Sequence, residues 1–347
     1  MTTQLPPPLR LGLVGLRFGA GLAQRQIFND PENQKYVRVV KVCDRIPEKA
    51  DAFAEKNGIP ACYDMEELLQ DPEIDAIMLM VPPAGRAALV RRCIDAGKHV
   101  LTTKPFELDP EAALEVLKYA REKNVIVHLN SPAPMPSCDL KQIREWQAKY
   151  DLGRPVAAHW ESYAKYNEKA DGSWFDSYDS CPAAPIFRLG IYGINELIAI
   201  MGKVENVEVV TGRIATGRPT PDNAQLLMRF ESGAIGSIYS SLCVGDGVYY
   251  PAGMTLHFQN GTIFKRQVRT YADSDFTRVE LALRVVVNGE VIEESATFPA
   301  TFRSGAYQYA NFAASCRQGY QEDETTPETI AEGIRVIAEM KKKEKPL

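Results

Sequence analysis

The stretch from Ile74 to Asp109, IDAIMLMVPPAGRAALVRRCIDAGKHVLTTKPFELD, constrains the fold more than any other part of the chain. An apolar run, Ala76 to Val81, stops at Pro82-Pro83. An amphipathic segment, Ala87 to Ala96, ends at Gly97, and a second apolar run, His99 to Leu101, stops at Lys104-Pro105. The pattern predicts strand, helix, strand. Two buried parallel strands need a helical crossover of this length, so both present their carboxyl ends to one edge of the sheet. Ligands of open parallel sheets bind at that edge. One strand therefore delivers Val81, Pro82 and Pro83 there, and the next delivers Lys104, a lone lysine held by Pro105.

The same logic applies upstream. Leu9 to Leu16 is a short apolar run that leads into Arg17-Phe18-Gly19 and a helical pattern from Leu22 to Phe28; Val37 to Cys43 is a second buried strand, closed by Asp44. The turn of such a unit carries backbone N–H groups to a pyrophosphate, and an acid after its second strand suits a ribose. Gly15, Arg17, Phe18 and Gly19 are thus candidates for the phosphates and Asp44 for the ribose. In the G-x-G-x-x-G/A register the three positions are Gly15, Arg17 and Ala20, so the middle glycine is an arginine. Asp44 favours NAD, whereas Arg45, directly after it, keeps NADP open because it could meet a 2′-phosphate.

Helical patterns at Pro47 to Asn57, Met65 to Gln70 and Pro110 to Lys123, and a last strand at Val125 to Leu129, complete an alternating βα order. That order predicts an α/β Rossmann domain, a doubly wound parallel sheet, over residues 1–130. The proline-rich run Asn130 to Ser137 marks its end. After a helix at Asp139 to Lys149 the pattern becomes antiparallel: strands at Val156 to Tyr163, Val204 to Ile214, Ala224 to Phe230, Ala234 to Leu242, Met254 to Gln259, Thr262 to Val268, Val279 to Val287 and Val291 to Thr297. Asn260-Gly261 and Asn288-Gly289 are hairpin signals. With helices at Leu189 to Met201, Tyr307 to Arg317 and Pro327 to Lys343, residues 131–347 read as an α+β domain with a large open, mainly antiparallel sheet. Helix 327–343 is a candidate to pack back on the first domain. One face of that sheet exceeds what the helices can cover, which implies a homo-dimer or homo-tetramer.

A net charge of −5 provides no basic field, so neither nucleic acid nor a membrane surface is expected as a partner. The seven cysteines are odd in number, widely spaced and without a C-x-x-C pair. They read as thiols in a reducing compartment, and MTTQLPPPLR lacks a signal-peptide core, so a cytoplasmic location is expected. His99, His128, His159 and His257 show no metal-ligand spacing, and no metal is expected. No G-x-S-x-G elbow or Walker A loop offers a competing chemistry.

A dinucleotide half, then GKHVLTTKP (Gly97 to Pro105), then RLGIYGINELIAIMG (Arg188 to Gly202), then an antiparallel sheet and a closing helix together resemble the Gfo/Idh/MocA oxidoreductases, the glucose-fructose oxidoreductase and inositol dehydrogenase family. The resemblance covers nearly the whole chain. It implies NAD(P)-dependent hydride transfer between nicotinamide and a secondary alcohol or ketone of a sugar, inositol or sugar derivative. It further implies that Lys104 touches both the nicotinamide ribose and the substrate hydroxyl, and that Tyr192 completes the proton path. Val81, Pro82 and Pro83 would line the nicotinamide side, and Asp44 would take the adenosine ribose.

The departures from the family pattern are Thr103 in place of a glutamate, Arg86 in place of a histidine, Arg188 in place of an aspartate four residues before Tyr192, and Arg17. Arg86, Thr103 and Pro105 are counted with Lys104 among the expected cofactor contacts. Arg188 is expected either to tune the proton relay or to pair with an anionic group of the substrate. The alternative is a structural acid, with Glu196 or Asp179 as its partner. Trp174, in GSWFDSYDS, is a candidate to stack on a sugar face or to cover the core. The same substitutions support a rival reading, a non-catalytic regulatory protein that senses a dinucleotide or sugar on this scaffold; Lys104-Pro105 and Tyr192 favour the enzyme.

Overall fold

The computed structural model describes residues 6–246, 252–269, 277–299, 303–320 and 325–345. The chain forms two compact units. The first comprises Met1–Glu107, Glu111–Asn130 and Tyr307–Pro327; the second comprises Leu108–Pro110, Ser131–Ala306 and Glu328–Leu347.

Apolar runs make the strands of the first unit: β1 (Leu9–Val14), β2 (Val37–Cys43), β3 (Ala61–Cys62), β4 (Ala76–Leu79), β5 (His99–Thr102) and β6 (Val127–Leu129). They pair in parallel, in the order β3-β2-β1-β4-β5-β6. Every residue of β4 is buried, as its unbroken apolar sequence requires. The order runs outward from β1 in both directions, so the switch point, where such sheets bind ligands, lies between β1 and β4. Helices α1 (Leu16–Ala23), α2 (Pro47–Asn57), α3 (Glu66–Leu69), α4 (Arg86–Asp95) and α5 (Pro110–Glu122) alternate with the strands. Helix α1 starts six residues earlier than the periodicity from Leu22 suggests. Arg17 and Phe18 on its outer side mask an inner face of Leu16, Gly19, Leu22 and Ala23, and a π turn, Gln24–Phe28, completes it.

The second unit is built on eight strands: β7 (Pro155–Tyr163), β8 (Val204–Gly212), β9 (Asn223–Phe230), β10 (Ile235–Ser241), β11 (Ala252–Phe258), β12 (Gly261–Arg269), β13 (Thr277–Val287) and β14 (Glu290–Pro299). Their order is β14-β13-β12-β11-β7-β10-β9-β8, antiparallel except for the β7·β10 pair. The β13–β14 hairpin turns at Asn288 (φ 53) and Gly289 (φ 83), the left-handed pair that its sequence signals. Helices α6 (Cys138–Lys149) and α7 (Ile191–Met201) belong to this unit.

Two further helices close the chain, α8 (Tyr309–Gln318) and α9 (Pro327–Lys343), and here an expectation is corrected. The element that returns to the first unit is α8, whose Tyr309, Phe312 and Ala313 join the core around Leu11, Met78 and Leu101. Helix α9, residues 327–343, instead buries Val336, Ile337 and Met340 in the core of the second unit. Both helices are amphipathic, and periodicity alone does not say which core each one completes.

The other face of the large sheet carries Val210, Leu227, Ile235, Phe264, Val286 and Val291, all exposed. They alternate with buried neighbours such as Leu226, Gly236, Ile263 and Val285, as a sheet covered on one side requires.

Candidate active site

At the switch point the turn after β1 is fixed by space. A Cβ on Gly15 would stand 2.7 Å from the Met80 carbonyl oxygen, and its φ is +88°. Only glycine satisfies both conditions. Gly19 is buried, and a Cβ there would lie 3.0 Å from both Leu13 and Met80. The close helix-to-strand packing usually given to the third glycine of the fingerprint is therefore performed by Gly19 and not by Ala20. Arg17 and Phe18 are exposed, so the arginine does not occupy the packed side of the turn.

Asp44 closes β2 as expected. One carboxylate oxygen accepts the N–H of Leu16 at 2.8 Å and the other that of Ile46 at 3.0 Å. Each oxygen has a second lone pair, enough for a ribose diol. The start of α1 offers backbone N–H groups and the positive end of a helix dipole to a phosphate. A glycine-tight turn, a helix start and an acid at the end of the next strand fit the adenosine and pyrophosphate parts of a dinucleotide. Arg45 is exposed beside the acid.

At the other side of the switch point stands the loop after β5. Lys104 is partly buried, and its peptide bond to Pro105 is cis. The Lys104 N–H donates to the Asn130 side-chain oxygen at 3.1 Å; Asn130, directly after β6, is itself buried. The Thr102 hydroxyl donates to the Leu79 carbonyl at 2.7 Å and ties β5 to β4 just before both chains leave the sheet.

Arg86, expected as a cofactor contact, is corrected: it is 1% exposed and bound to backbone. One guanidinium nitrogen donates to the carbonyls of Thr103 (2.5 Å), Pro105 (2.5 Å) and Phe106 (3.2 Å). The other donates to the carbonyl of Val81. Burial pulls this guanidinium down to about 10, against the opposing pull of Tyr307 and Glu107. Thr103 is buried too. Glu107 accepts the N–H groups of Gly85 (3.1 Å) and Ala87 (2.8 Å) and so caps α4 from a different loop. The sequence alone does not mark Asn130 and Glu107 as site residues. Their one signal is position, immediately after a buried strand and three residues after the lysine.

In the second unit two glycines seat the helix that bears Tyr192. A Cβ on Gly193 would come within 2.4 Å of the Trp160 ring, and one on Gly190 within 3.0 Å of Ser240. Helix α7 and the π turn before it, Ile186–Gly190, therefore lie directly on β7 and β10. Tyr192 is partly buried against the core, and its ring abuts Gly305, where a Cβ would stand 2.5 Å from Cε1.

Arg188 lies in the π turn and does find an acid, but neither of those expected. Its two terminal nitrogens donate to the two oxygens of Glu168, both at 2.8 Å, and its plane stacks 4.6 Å from the ring centre of Tyr166 and 4.4 Å from that of Phe175. Arg218 donates to the same Glu168 at 2.7 Å, and to Asp171 (2.9 Å) and Asp176 (2.7 Å). Three acids thus face two arginines. Asp179 instead pairs with Lys341 at 3.0 Å, and Glu196 with Lys265 at 2.8 Å. Trp174 packs on the core, with Phe175 at 4.0 Å and Phe187 edge-on at 6.1 Å between ring centres. Among the described residues no cluster of His, Cys, Asp and Glu could hold a metal ion, and no helix is long and apolar enough to cross a membrane.

A parallel sheet with a dinucleotide turn, joined to a second unit that carries a tyrosine-bearing helix on an open sheet, defines the class of two-domain nicotinamide-dependent oxidoreductases. Residues 9–131 match the family model of the oxidoreductase family with an NAD-binding Rossmann fold, and residues 140–264 match the GFO/IDH/MocA C-terminal domain. The chain belongs to the GFO/IDH/MocA oxidoreductase family, and its first unit is an NAD-binding domain.

Among curated relatives, the dTDP-3,4-didehydro-2,6-dideoxy-alpha-D-glucose 3-reductase of Saccharopolyspora spinosa is 31% identical over 35% of this chain and 36% of its own length. The 1,5-anhydro-D-fructose reductase of Ensifer adhaerens is 25% identical over 67% of this chain and 69% of its own. The chain thus spans about a third of the first relative and about two thirds of the second. Two solved structures share the fold: the WlbA dehydrogenase of Bordetella pertussis in complex with NADH and UDP-GlcNAcA (TM-score 0.72, 18% identity, 98% of this chain and 96% of that one), and levoglucosan dehydrogenase in complex with NADH (TM-score 0.69, 17% identity, 97% and 95%). These relatives are named reductases and dehydrogenases, and the rival reading as a regulatory sensor has no support in them.

Proposed function

We propose that this protein transfers a hydride between NAD and an uncharged secondary alcohol or ketone of a sugar or sugar derivative. The observation that carries the reading is the mounting of Lys104 beside the switch point, at the end of a strand whose neighbours bear the dinucleotide turn and Asp44. The names of both curated relatives place them on sugar derivatives, which supports a sugar-type substrate; of the two, 1,5-anhydro-D-fructose is the uncharged one, whereas a dTDP-sugar carries a diphosphate.

NAD, when bound, supplies the hydride acceptor, and its reduced form the donor. The residues of the chain then have distinct tasks. Asp44 takes the adenosine ribose, and its charge opposes a 2′-phosphate, while Arg45 lets NADP compete. Gly15, Arg17, Phe18 and Gly19 bring backbone N–H groups to the phosphates. Val81, Pro82, Pro83 and Pro105 line the nicotinamide side. Lys104 holds and passes the hydroxyl proton, and Tyr192 is assigned the proton-carrying role that the family resemblance implies for it; lysine and tyrosine normally titrate near 10, so each is a competent partner for an alcohol once its own surroundings tune it.

Among the described residues Arg188 is paired with Glu168 in a cluster of three acids and two arginines, which speaks against its serving as the anchor for an anionic substrate group. Trp174 contributes a wall. The exposed apolar face of the large sheet suits a second copy of the chain, giving a homo-dimer or a tetramer built from it. A cytoplasmic location agrees with seven cysteines that form no disulfide. The test is a titration with NADH and NADPH followed by nicotinamide fluorescence. Micromolar NADH binding, tighter than that of NADPH, is expected; binding of neither overturns the reading.

A further inference from the structure

The nicotinamide end of the first unit has no regular structure of its own. It is made of two chain exits, the turn after β4 and the loop after β5, and each must hold its peptide planes without a sheet partner. A buried arginine lies between them. In the neighbouring turn, Gly85 at φ +72 and the N–H of Arg86 bonded to the Pro83 carbonyl at 3.1 Å bring this side chain inward at the start of α4.

We infer that Arg86 is a positioning residue for the nicotinamide site, holding the exit of β4 and the loop of Lys104 in one arrangement through four backbone carbonyls. The inference rests on the proposal above that Val81 to Pro83 and Lys104 serve the nicotinamide. Its geometry is specific. The Thr103–Lys104 peptide is held at both ends, its carbonyl by Arg86 at 2.5 Å and its N–H by Asn130 at 3.1 Å. The Pro105 carbonyl, on the other side of the lysine, is held by the same nitrogen, and Val81 by its twin. Lys104 therefore leaves a backbone fixed before and after it.

The chemistry explains why an arginine stands here. A guanidinium presents several N–H donors in a rigid plane and stays charged even at the cost of burial, whereas an ammonium is a compact point charge. Carbonyl dipoles from two loops converge on it. Among the described residues no carboxylate is bonded to it; Glu107 instead caps α4, which fixes the helix from which Arg86 projects. Thr103 fits the same scheme, because a neutral residue beside Lys104 offers no carboxylate to draw the guanidinium off the backbone.

The experiment compares the full-length protein with Arg86→Ala and Arg86→Lys, using NADH and ADP-ribose, which lacks the nicotinamide, as separate probes. Expected is a split. Arg86→Ala binds ADP-ribose within twofold of wild type but NADH at least tenfold more weakly, and Arg86→Lys shows the same split in smaller degree. Hydrogen exchange at residues 103–107 speeds up at least tenfold in both variants. A role in overall stability alone predicts equal losses for both ligands, and that result overturns the inference. So does Arg86→Lys behaving as wild type in both assays, an outcome that remains readable should Arg86→Ala fail to fold. If wild type binds neither ligand, the functional reading fails by itself, and the exchange rates still decide whether the clamp exists.

Discussion

Replacing Glu168 with glutamine tests the electrostatics of the second unit. Glu168 accepts two hydrogen bonds from Arg188, both at 2.8 Å, and one from Arg218 at 2.7 Å. The amide keeps the shape, loses the charge and turns an NH₂ toward a guanidinium. Bonds to charged groups contribute about 1.5–3 kcal/mol each, and breaking one side of a buried ion pair costs about 3–5 kcal/mol. Arg188 is only 12% exposed and loses the carboxylate that grips both of its terminal nitrogens, but Glu168 is 25% exposed and Arg218 keeps Asp171 and Asp176. The lower end of the range applies, about 3 kcal/mol, or about 6–12 °C in melting temperature for a unit of this size.

The assay is thermal unfolding at neutral pH. Adding Arg188→Met to Glu168→Gln should recover part of the loss, because the second change removes the buried charge that Glu168 no longer balances and leaves an apolar side chain between Tyr166 and Phe175. Burial alone would raise the Glu168 carboxyl; the hydrogen bonds and charges of Arg188 and Arg218 overcome it and hold it below the ordinary value. A depressed folded value stabilises fully above the unfolded one, about 4.3, and its contribution is lost as pH falls through the folded value. The gap between wild type and Glu168→Gln should therefore close on acidification below that point. A drop of less than about 2 °C at neutral pH, or a double variant worse than the sum of its parts, refutes the reasoning.

Two other outcomes follow from single contacts. Gly15→Ala puts a Cβ 2.7 Å from the Met80 carbonyl oxygen at φ +88°; it should weaken NADH binding at least tenfold in calorimetry while the protein remains folded. Glu344 accepts the N–H of Ala183 at 2.8 Å, and burial pushes its carboxyl up to about 7. A raised folded value means that the native state holds the extra proton between about pH 4.3 and 7, so stability falls as pH rises through that window. Glu344→Gln should be more stable than wild type at pH 8, by up to about 4 kcal/mol, and equal it at pH 4.

What could be read from the sequence was local. Asn288-Gly289 marks a hairpin because few residue pairs tolerate two positive φ values, and Gly15 marks a turn because the next strand presses on it. The order of the first sheet follows from unbroken apolar runs separated by helices. The partner of Arg188 could not be read, since Glu168 lies twenty residues upstream on an irregular loop, and the two meet only when that loop folds back. Arg86 looked like a ligand contact for a similar reason: an arginine satisfied by carbonyls carries no mark in sequence, because every residue supplies a carbonyl. The exchange between α8 and α9 is a third case, as two amphipathic helices near the end of a chain look alike until a core selects one.

Lys104 is proposed to move the hydroxyl proton in an NAD-dependent reaction on an uncharged sugar. The most direct test mixes wild type and Lys104→Met with NAD and a panel of neutral sugars, polyols and uronates, and follows the absorbance of reduced nicotinamide. NADH is expected to form with a neutral member of the panel, and Lys104→Met to lose about 10²–10⁴ in rate, with both proteins folded. Equal rates in wild type and variant, or reduction driven only by uronates, contradict it.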